Sequence, residues 1–310
     1  MPDLINRSKF PALCRLVDAA LDAWPEHREF LEKSLPADDA DELHHAEGVA
    51  ALIGRLLGPG PAAGPFLDYR WTCERLLEEE LHFHRTGGYR LKTFVEAKHQ
   101  VYDDPAFMGR YVNGLLLSHL FWSNHRRVLR TFAERFLAGN PSGFRHLEVG
   151  PGHGLYLYLA AGDAKCRAAT GWDVSDTSVS ETRTALAKLG APGHARVERR
   201  DVLGDLSGLG PFDSVVVSEV LEHLEDPARA LVNLGRVMAP GGRIFVNMPV
   251  NSPAPDHIYL LESPEQVSGL VTENGFRATE TLYFPATGYT EARARKAKAT
   301  LSCVVIAVHP

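Results

Sequence analysis

The chain has no long apolar run, few cysteines and no excess of positive charge, and each shortage removes a class of function. No stretch approaches the roughly 20 apolar residues that a membrane-spanning helix needs. Residues 1–7 lack the basic start and apolar stretch of a secretory signal. The four cysteines, Cys14, Cys73, Cys166 and Cys303, are far apart with no C-x-x-C pair, which argues against a disulfide framework or a cysteine-built zinc site. A cytoplasmic location is the expectation. With 33 Lys and Arg against 39 Asp and Glu the net charge is −6, so no basic surface stands ready to neutralise phosphates. The short basic groups, 125–127 with Arg130 and the set Arg293, Arg295, Lys296 and Lys298, read as solvated faces. A small-molecule partner is favoured over nucleic acid or a membrane, and nothing excludes a homo-oligomer.

What the chain does have is a glycine-rich turn after a short apolar segment. Residues 146–155 read as a strand ending in Glu148, then Gly150, Gly152 and Gly154, then a helix from Leu155. Glycines serve where the backbone takes positive φ or a ligand must approach the main chain. The following helix aims its free N–H groups at the same place. A dinucleotide fingerprint requires a third glycine where Leu155 stands, which turns the reading away from a nicotinamide dehydrogenase.

Four further strand candidates follow at βαβ intervals. They are 169–173 ending in Asp173, 195–202 with Asp201 and Val202, the apolar run 212–218, and 243–249 after the turn Pro240-Gly241-Gly242. The run 212–218 suits the middle of a parallel sheet and opens into a segment beginning at Glu219. Strand alternating with helix at this pace predicts an α/β, doubly wound, Rossmann-like sheet with ligands at the carboxyl ends of the strands.

The pattern Glu148-x-Gly150-x-Gly152-x-Gly154, with Asp173, Asp201, residues 219–227 and Pro240-Gly241-Gly242, resembles class I S-adenosylmethionine (SAM) methyltransferases. The likeness is to the small-molecule enzymes of ubiquinone and menaquinone biosynthesis, and it covers roughly residues 144–310. It implies a seven-stranded sheet, SAM as cosubstrate, and SN2 transfer of a methyl group to an oxygen, nitrogen or carbon of a metabolite. The cofactor residues it implies are Glu148, Gly150, Gly152, Gly154 and Glu219, with Asp173 on the ribose diol and Asp201 and Val202 at the adenine. His153, inside the loop, departs from the usual small or polar residue and suggests a substrate contact. The alternative is a SAM-fold protein whose pocket serves ligand sensing or non-methylating chemistry such as a cyclisation.

The N-terminal half shows helical spacing around 10–24, 40–57, 71–84 and 105–138, with a turn-rich connector at 58–65. A break at 138–143 sets the expected organisation: 1–140 a helical lid or substrate domain, 141–310 a SAM-binding domain. On the helix from Pro105, Tyr111 and Trp122 are substrate-side candidates, because aromatic faces hold a sulfonium without reacting with it. Aromatics at this spacing equally suit a core.

Two histidines are the candidate bases. His223 stands just inside the helix expected after the fourth strand and His257 lies in a proline-rich loop after the fifth, both where this fold places chemistry. Asp256 orients the His257 imidazole if the loop bends back. No metal is expected, since Glu79, Glu80, His82 and His84 do not form a ligand set on one helix face.

Overall fold

From residue 144 the chain alternates apolar strands with amphipathic helices, and strands buried on both faces pair in parallel only when helices cover them. A computed structural model describes residues 5–58 and 63–310. Its single sheet comprises β1 (Phe144–Val149), β2 (Cys166–Asp173), β3 (Ala195–Arg199), β4 (Phe212–Ser218), β5 (Met238–Val250), β6 (Arg277–Pro285) and β7 (Leu301–Val308). The order is β3-β2-β1-β4-β5-β7-β6, with β1 to β5 parallel and β7 antiparallel to both neighbours. The Rossmann-like seven-stranded α/β sheet is the expected one, and helices precede it. Strand order reverses between β1 and β4, so the carboxyl ends of β1, β2, β4 and β5 open on one crevice.

Some boundaries differ from the sequence pattern. β3 stops at Arg199, leaving Asp201 and Val202 on the loop that follows. β5 begins at Met238 and absorbs the expected turn at 240–242, with Gly241 at φ 75°. Half of the connector at 58–65 lies outside the described residues, which omit 59–62, and its last two residues, Gly64 and Pro65, already belong to the helix that follows.

The preceding helices are α1 (Pro11–Ala23), α2 (Arg28–Ser34), α3 (Ala40–Leu57), α4 (Gly64–Thr86), α5 (Phe94–Ala97), α6 (Pro105–Phe121) and α7 (Ser123–Thr131). The single helix expected over 105–138 is broken at Trp122, whose backbone is extended at φ −102°, ψ 123°. There the Ser123 N–H donates to Thr287 Oγ1 at 3.0 Å. The break lets α6 pack on α4 while α7 lies on β6 and β7, and it takes Trp122 off the face that carries Tyr111. Below α7, Phe132 and Phe136 pack on Phe245 of β5 at 5.6 and 5.5 Å between ring centres, so one apolar core runs from the helices into the sheet. The basic run at 125–127 is not a solvated face throughout: Arg126 is fully buried. No helix among the described residues is long and apolar enough to cross a membrane.

α4 and α6 meet at Gly114, where an added Cβ would stand 2.1 Å from Oγ1 of buried Thr72. Alanine there gains about 1 kcal/mol of helix propensity but overpacks the contact at a cost of about 1–3 kcal/mol. Gly114→Ala is therefore expected to lower the melting temperature by a few degrees, and adding Thr72→Ala to recover only part of the loss, since Cβ of residue 72 would still stand 2.5 Å from the new methyl. Melting of Gly114→Ala together with the wild-type chain would show that the helices yield at this contact.

Candidate active site

The turn between β1 and α8 (Leu155–Gly162) is built by backbone that only glycine takes readily. Gly150 has φ 66°, and a Cβ on it would stand 2.7 Å from Cγ2 of Val220, so the loops after β1 and β4 touch there. Gly152 has φ 49°, yet a Cβ on it would meet nothing within 4 Å and would project into open space. The loop is held from both sides. Gly150 N–H donates to Trp172 O at 2.8 Å, continuing the β1–β2 ladder, and Thr182 Oγ1 on α9 (Asp176–Leu189) donates to Gly152 O at 2.7 Å.

Glu148 is buried beneath this loop and accepts from the Leu157 N–H in the first turn of α8. Its Oε2 has no partner, and burial holds the carboxyl well above the usual carboxylate range. His153 Nδ1 accepts from Leu155 N–H at 3.4 Å. Its ring meets His119 of α6 edge-on at 4.5 Å, and His119 in turn packs on His125 and Tyr156. Burial pushes His153 and His125 down to about 4, so this histidine stack joins the helices to the glycine loop in neutral form.

Asp173 ends β2 on the same crevice. Its Oδ1 accepts from Ser175 N–H at 2.9 Å, burial raises its carboxyl, and Val174 beside it leaves an apolar side chain exposed. Beyond β3, exposed Asp201 accepts from Leu203 N–H at 2.8 Å, while Val202 is buried with its carbonyl on Asn233.

The densest group of polar side chains lies at the ends of β4 and β5. Glu219 takes φ 54°, a left-handed backbone that non-glycine residues adopt at a cost and mostly at functional sites. Asn247 of β5 secures it twice: Asn247 O accepts from Glu219 N–H at 2.9 Å, and Asn247 Nδ2 donates to Glu219 Oε1 at 2.8 Å. Burial pushes the Glu219 carboxyl up to about 7. Instead of the expected helix, a 3₁₀ turn (Leu221–His223) follows, and α10 (Pro227–Arg236) starts only after Asp226 caps it. The turn drives Glu222 inward, fully buried, where its carboxyl pairs with that of Glu219 instead of with an amide or hydroxyl of another side chain. Burial, then the nearby Glu219 charge, raises its carboxyl well above the ordinary range.

The two histidines meet there, rings edge to face at 4.8 Å. His223 Nδ1 lies 3.1 Å from Asp256 O and 3.2 Å from Tyr102 Oη. Tyr102, the last residue of a π-helical turn (Lys98–Tyr102), donates to Asp256 Oδ2 at 3.1 Å, and Tyr111 donates to Asp256 Oδ1 at 3.0 Å. His257 Nδ1 donates to Ser252 O at 2.6 Å, which leaves its Nε2 as the lone pair, 3.9 Å from Glu222 Oε1. The His257 loop is tied to the turn by the N–H groups of Ile258 and Tyr259 on Glu222 O, at 3.0 and 2.9 Å.

The structure thus brings His223, His257, Glu219 and Tyr111 into one cluster, with the glycine loop and Asp173 along the same crevice. Trp122 stands apart: its indole N–H donates to Tyr69 Oη at 3.0 Å, within the helical layer. Asp256 serves His223, its Oδ2 lying 3.5 Å from Nδ1, while Ser252 O orients His257. Glu222, Tyr102 and Asn247 belong to the cluster and were missed. The signal for Glu222 was in view, a second acid and a histidine within five residues of a strand end. Tyr102 and Asn247 depend on long-range placement.

Residues 121–282 match the family model described as "Methyltransferase domain". The chain is 33% identical over 106 residues to a ubiquinone biosynthesis O-methyltransferase of Caulobacter sp. (strain K31), covering 34% of this chain and 40% of that protein. To the protein of the same description from Paracidovorax citrulli (strain AAC00-1) it is 30% identical over 132 residues, covering 42% and 53%. The matched stretch therefore spans about half the length of these relatives or less. Among solved structures, N-methyltransferase NodS of Bradyrhizobium japonicum WM9, in complex with S-adenosyl-l-homocysteine, aligns over 60% of this chain and 87% of its own with a TM-score of 0.47 and 20% identity. The [4+2]-cyclase SpnF aligns over 60% and 81% with a TM-score of 0.49 and 21% identity.

Proposed function

We propose that this chain, which belongs to the methyltransferase-domain family, moves the methyl group of SAM to an oxygen of a small molecule held at the ends of β4 and β5. The observation that carries the reading is the placement of the Gly152 turn and of the cluster of Glu219, Glu222, His223 and His257 just beyond the carboxyl ends of the adjacent parallel strands β1 and β4. The residues fit the cosubstrate. Gly152 leaves open the space that a side chain would occupy, and Asp173 and Val174 offer an acid and an apolar face at the end of β2. Asp201 and Val202 are assigned to the adenine side. The oxygen as acceptor atom follows the description of the relatives as O-methyltransferases. The net charge of −6 supports a small acceptor over nucleic acid, and four free cysteines accord with a reducing cytoplasm.

When bound, SAM supplies a methyl group already activated by its sulfonium, so the protein's part is alignment, exclusion of water and handling of one proton. The glycine loop and Asp173 fix the donor. Tyr102 and Tyr111 reach in from the helical region and, through Asp256, set the His223 ring. That supports residues 1–140 as the lid and substrate side. An acceptor hydroxyl must lose its proton as the methyl arrives, and the cluster around His223 and His257 receives it. The two imidazole Nδ1 atoms already rest on backbone carbonyls, which leaves Nε2 free on each.

Asp173→Ala is expected to weaken SAM binding, while His223→Ala leaves that binding unchanged and slows methyl transfer by about a hundredfold or more. Calorimetric titration with S-adenosylhomocysteine, paired with transfer of labelled methyl to a panel of phenolic acceptors, reads both. Unchanged turnover in the histidine variant would remove His223 from the reaction. Binding with no labelled product from any acceptor would favour ligand sensing or non-methylating use of the pocket.

A further inference from the structure

Two helices and the glycine loop bring three histidines to one spot. The His119 ring of α6 meets His153 of the loop edge-on at 4.5 Å and lies 5.5 Å from His125 of α7. We propose that His119, His125 and His153 form the pocket for a carboxyl group carried by the acceptor, which makes the substrate a hydroxy acid. The proposal rests on the methyl-transfer reading above and names its substrate class.

The hydrogen bonds around the three rings fix what each can offer. Ser118 has one hydroxyl proton and donates it to Leu115 O at 2.7 Å, so its Oγ accepts from His125 Nδ1 at 2.9 Å, and the lone pair of that ring is on Nε2. His153 is the reverse: its Nδ1 accepts from Leu155 N–H, so Nε2 carries the proton. His119 is only 8% exposed, and its buried Nδ1 has no partner. Among the described residues no hydrogen bond reaches Nε2 of His125 or Nε2 of His153 either. A lone pair, an N–H and a ring able to present both therefore stand together unsatisfied, and buried polar atoms in that state call for a partner that the chain does not supply.

A carboxyl group matches this set. One oxygen accepts from His153 Nε2, the other shares a proton with His125 Nε2, and His119 bonds to either. A neutral hydroxyl or amide makes some of these bonds but has no use for three side chains that can gain a proton. A buried carboxylate does, because it needs a counter-charge and an imidazole provides one on demand. No carboxylate, lysine or arginine is among the charges felt by the three rings; those are other histidines, His257 of the cluster among them. Tyr156 of α8 faces His119 at 5.9 Å as a neutral phenol, its pKa raised by burial. The empty pocket is thus uncharged, with His125 and His153 held down at about 4, and a carboxylate beside them raises both. Two of the three rings come from the helical side, which the reading above gives to the acceptor, and His125 lies within reach of the His257 charge.

Binding a carboxylate here takes up one proton as well. The free imidazoles titrate near pH 4 and the paired one well above it, so between those values affinity falls about tenfold for each unit rise in pH. Hydroxybenzoates with the carboxyl at each ring position are the probes, titrated by calorimetry beside the matching hydroxybenzamides into the full chain saturated with S-adenosylhomocysteine. Near neutral pH an acid should bind at least about tenfold tighter than its amide, with proton uptake read from the dependence of the heat on buffer ionisation. His119→Phe and His125→Phe keep a ring and remove its nitrogens, so both should lose the acid preference and the uptake, whereas exposed His84→Gln keeps them. Thermal melts of the variants separate this loss from a folding defect. Equal binding of acids and amides, or proton uptake that survives both phenylalanine variants, overturns the proposal. The amino-acid end of the cosubstrate also carries a carboxylate, but with its own ammonium as counter-charge, and methylthioadenosine lacks that end. If either phenylalanine variant erases a preference for S-adenosylhomocysteine over methylthioadenosine, the imidazoles hold the cosubstrate and the proposal falls. Labelled methyl passing to phenols without preference for acids removes the carboxyl pocket alone, while no labelled product from any acceptor removes the methyl-transfer reading and the pocket with it.

Discussion

Gly152→Arg is expected to abolish SAM binding while the chain still folds. The residue sits at φ 49°, where an L side chain costs roughly 1–2 kcal/mol, a loss that a chain of this size absorbs. Binding suffers far more. A Cβ at this position enters space with no atom within 4 Å, so the arginine side chain fills the cradle itself and sets a positive charge beside the place where a sulfonium must lie. A fall in affinity of at least about a hundredfold, or 2.7 kcal/mol or more in binding free energy, is the outcome to look for. Gly152→Ala carries the same backbone strain with a far smaller obstruction and should fall between. Titration calorimetry with S-adenosylhomocysteine, alongside thermal melts of both variants, separates a blocked site from a lost fold. Wild-type affinity in the arginine variant would move the ligand away from the glycine loop, and with it the reading of the whole crevice.

The glycine loop was readable because its chemistry is local: an acid, three glycines and a helix start within ten residues specify one backbone path. The parallel sheet was readable for a similar reason, since runs such as 212–218 are apolar on both faces and have few other uses. What escaped the sequence depends on distant parts of the chain. The helix expected over 105–138 continues its apolar pattern across Trp122, and only the docking of Ser123 on Thr287 shows why it breaks there. Asp256 adjoins His257 in sequence yet serves His223, because the loop is turned by the bonds from Ile258 and Tyr259 to Glu222 O. Glu222 and His223 are neighbours whose side chains would diverge on the helix expected there; the 3₁₀ turn at Leu221–His223 brings both to the cluster instead. The same distinction separates the two halves of the site. Glu148 and Asp173 lie on strand ends that periodicity locates, while Tyr102, Glu222, His223 and His257 come from three irregular segments that only the folded chain assembles.

Arg126→Ala is expected to be among the most damaging single changes to stability, although nothing near the crevice is altered. The short basic run at 125–127 looks like a solvated face, but α7 turns Arg126 inward until none of it is exposed. Its guanidinium then has four acceptors: Glu42 Oε1 at 2.7 Å, Leu120 O at 2.6 Å, Ser34 O at 2.5 Å and Ser34 Oγ at 3.3 Å. One side chain thereby ties together the ends of α2 and α6 and the first turn of α3. Burial lowers the Arg126 pKa, yet the group remains a cation because its ordinary value is so high. Alanine leaves Glu42 buried with only Arg130, at 3.6 Å, to oppose its charge, and it strips two helix-end carbonyls of their donor. Removing one partner of such a pair costs about 3–5 kcal/mol, read as a lower midpoint in urea with little change in slope. Lysine should recover only part of this, because a single ammonium cannot span acceptors on three elements. The double variant Glu42→Leu with Arg126→Met removes the orphaned charge but still leaves Leu120 O and Ser34 O bare, so it should fall between alanine and wild type. If Arg126→Ala melts with the wild-type chain, the helical layer is held by its apolar core alone, and the buried guanidinium contributes nothing that its desolvation does not cancel.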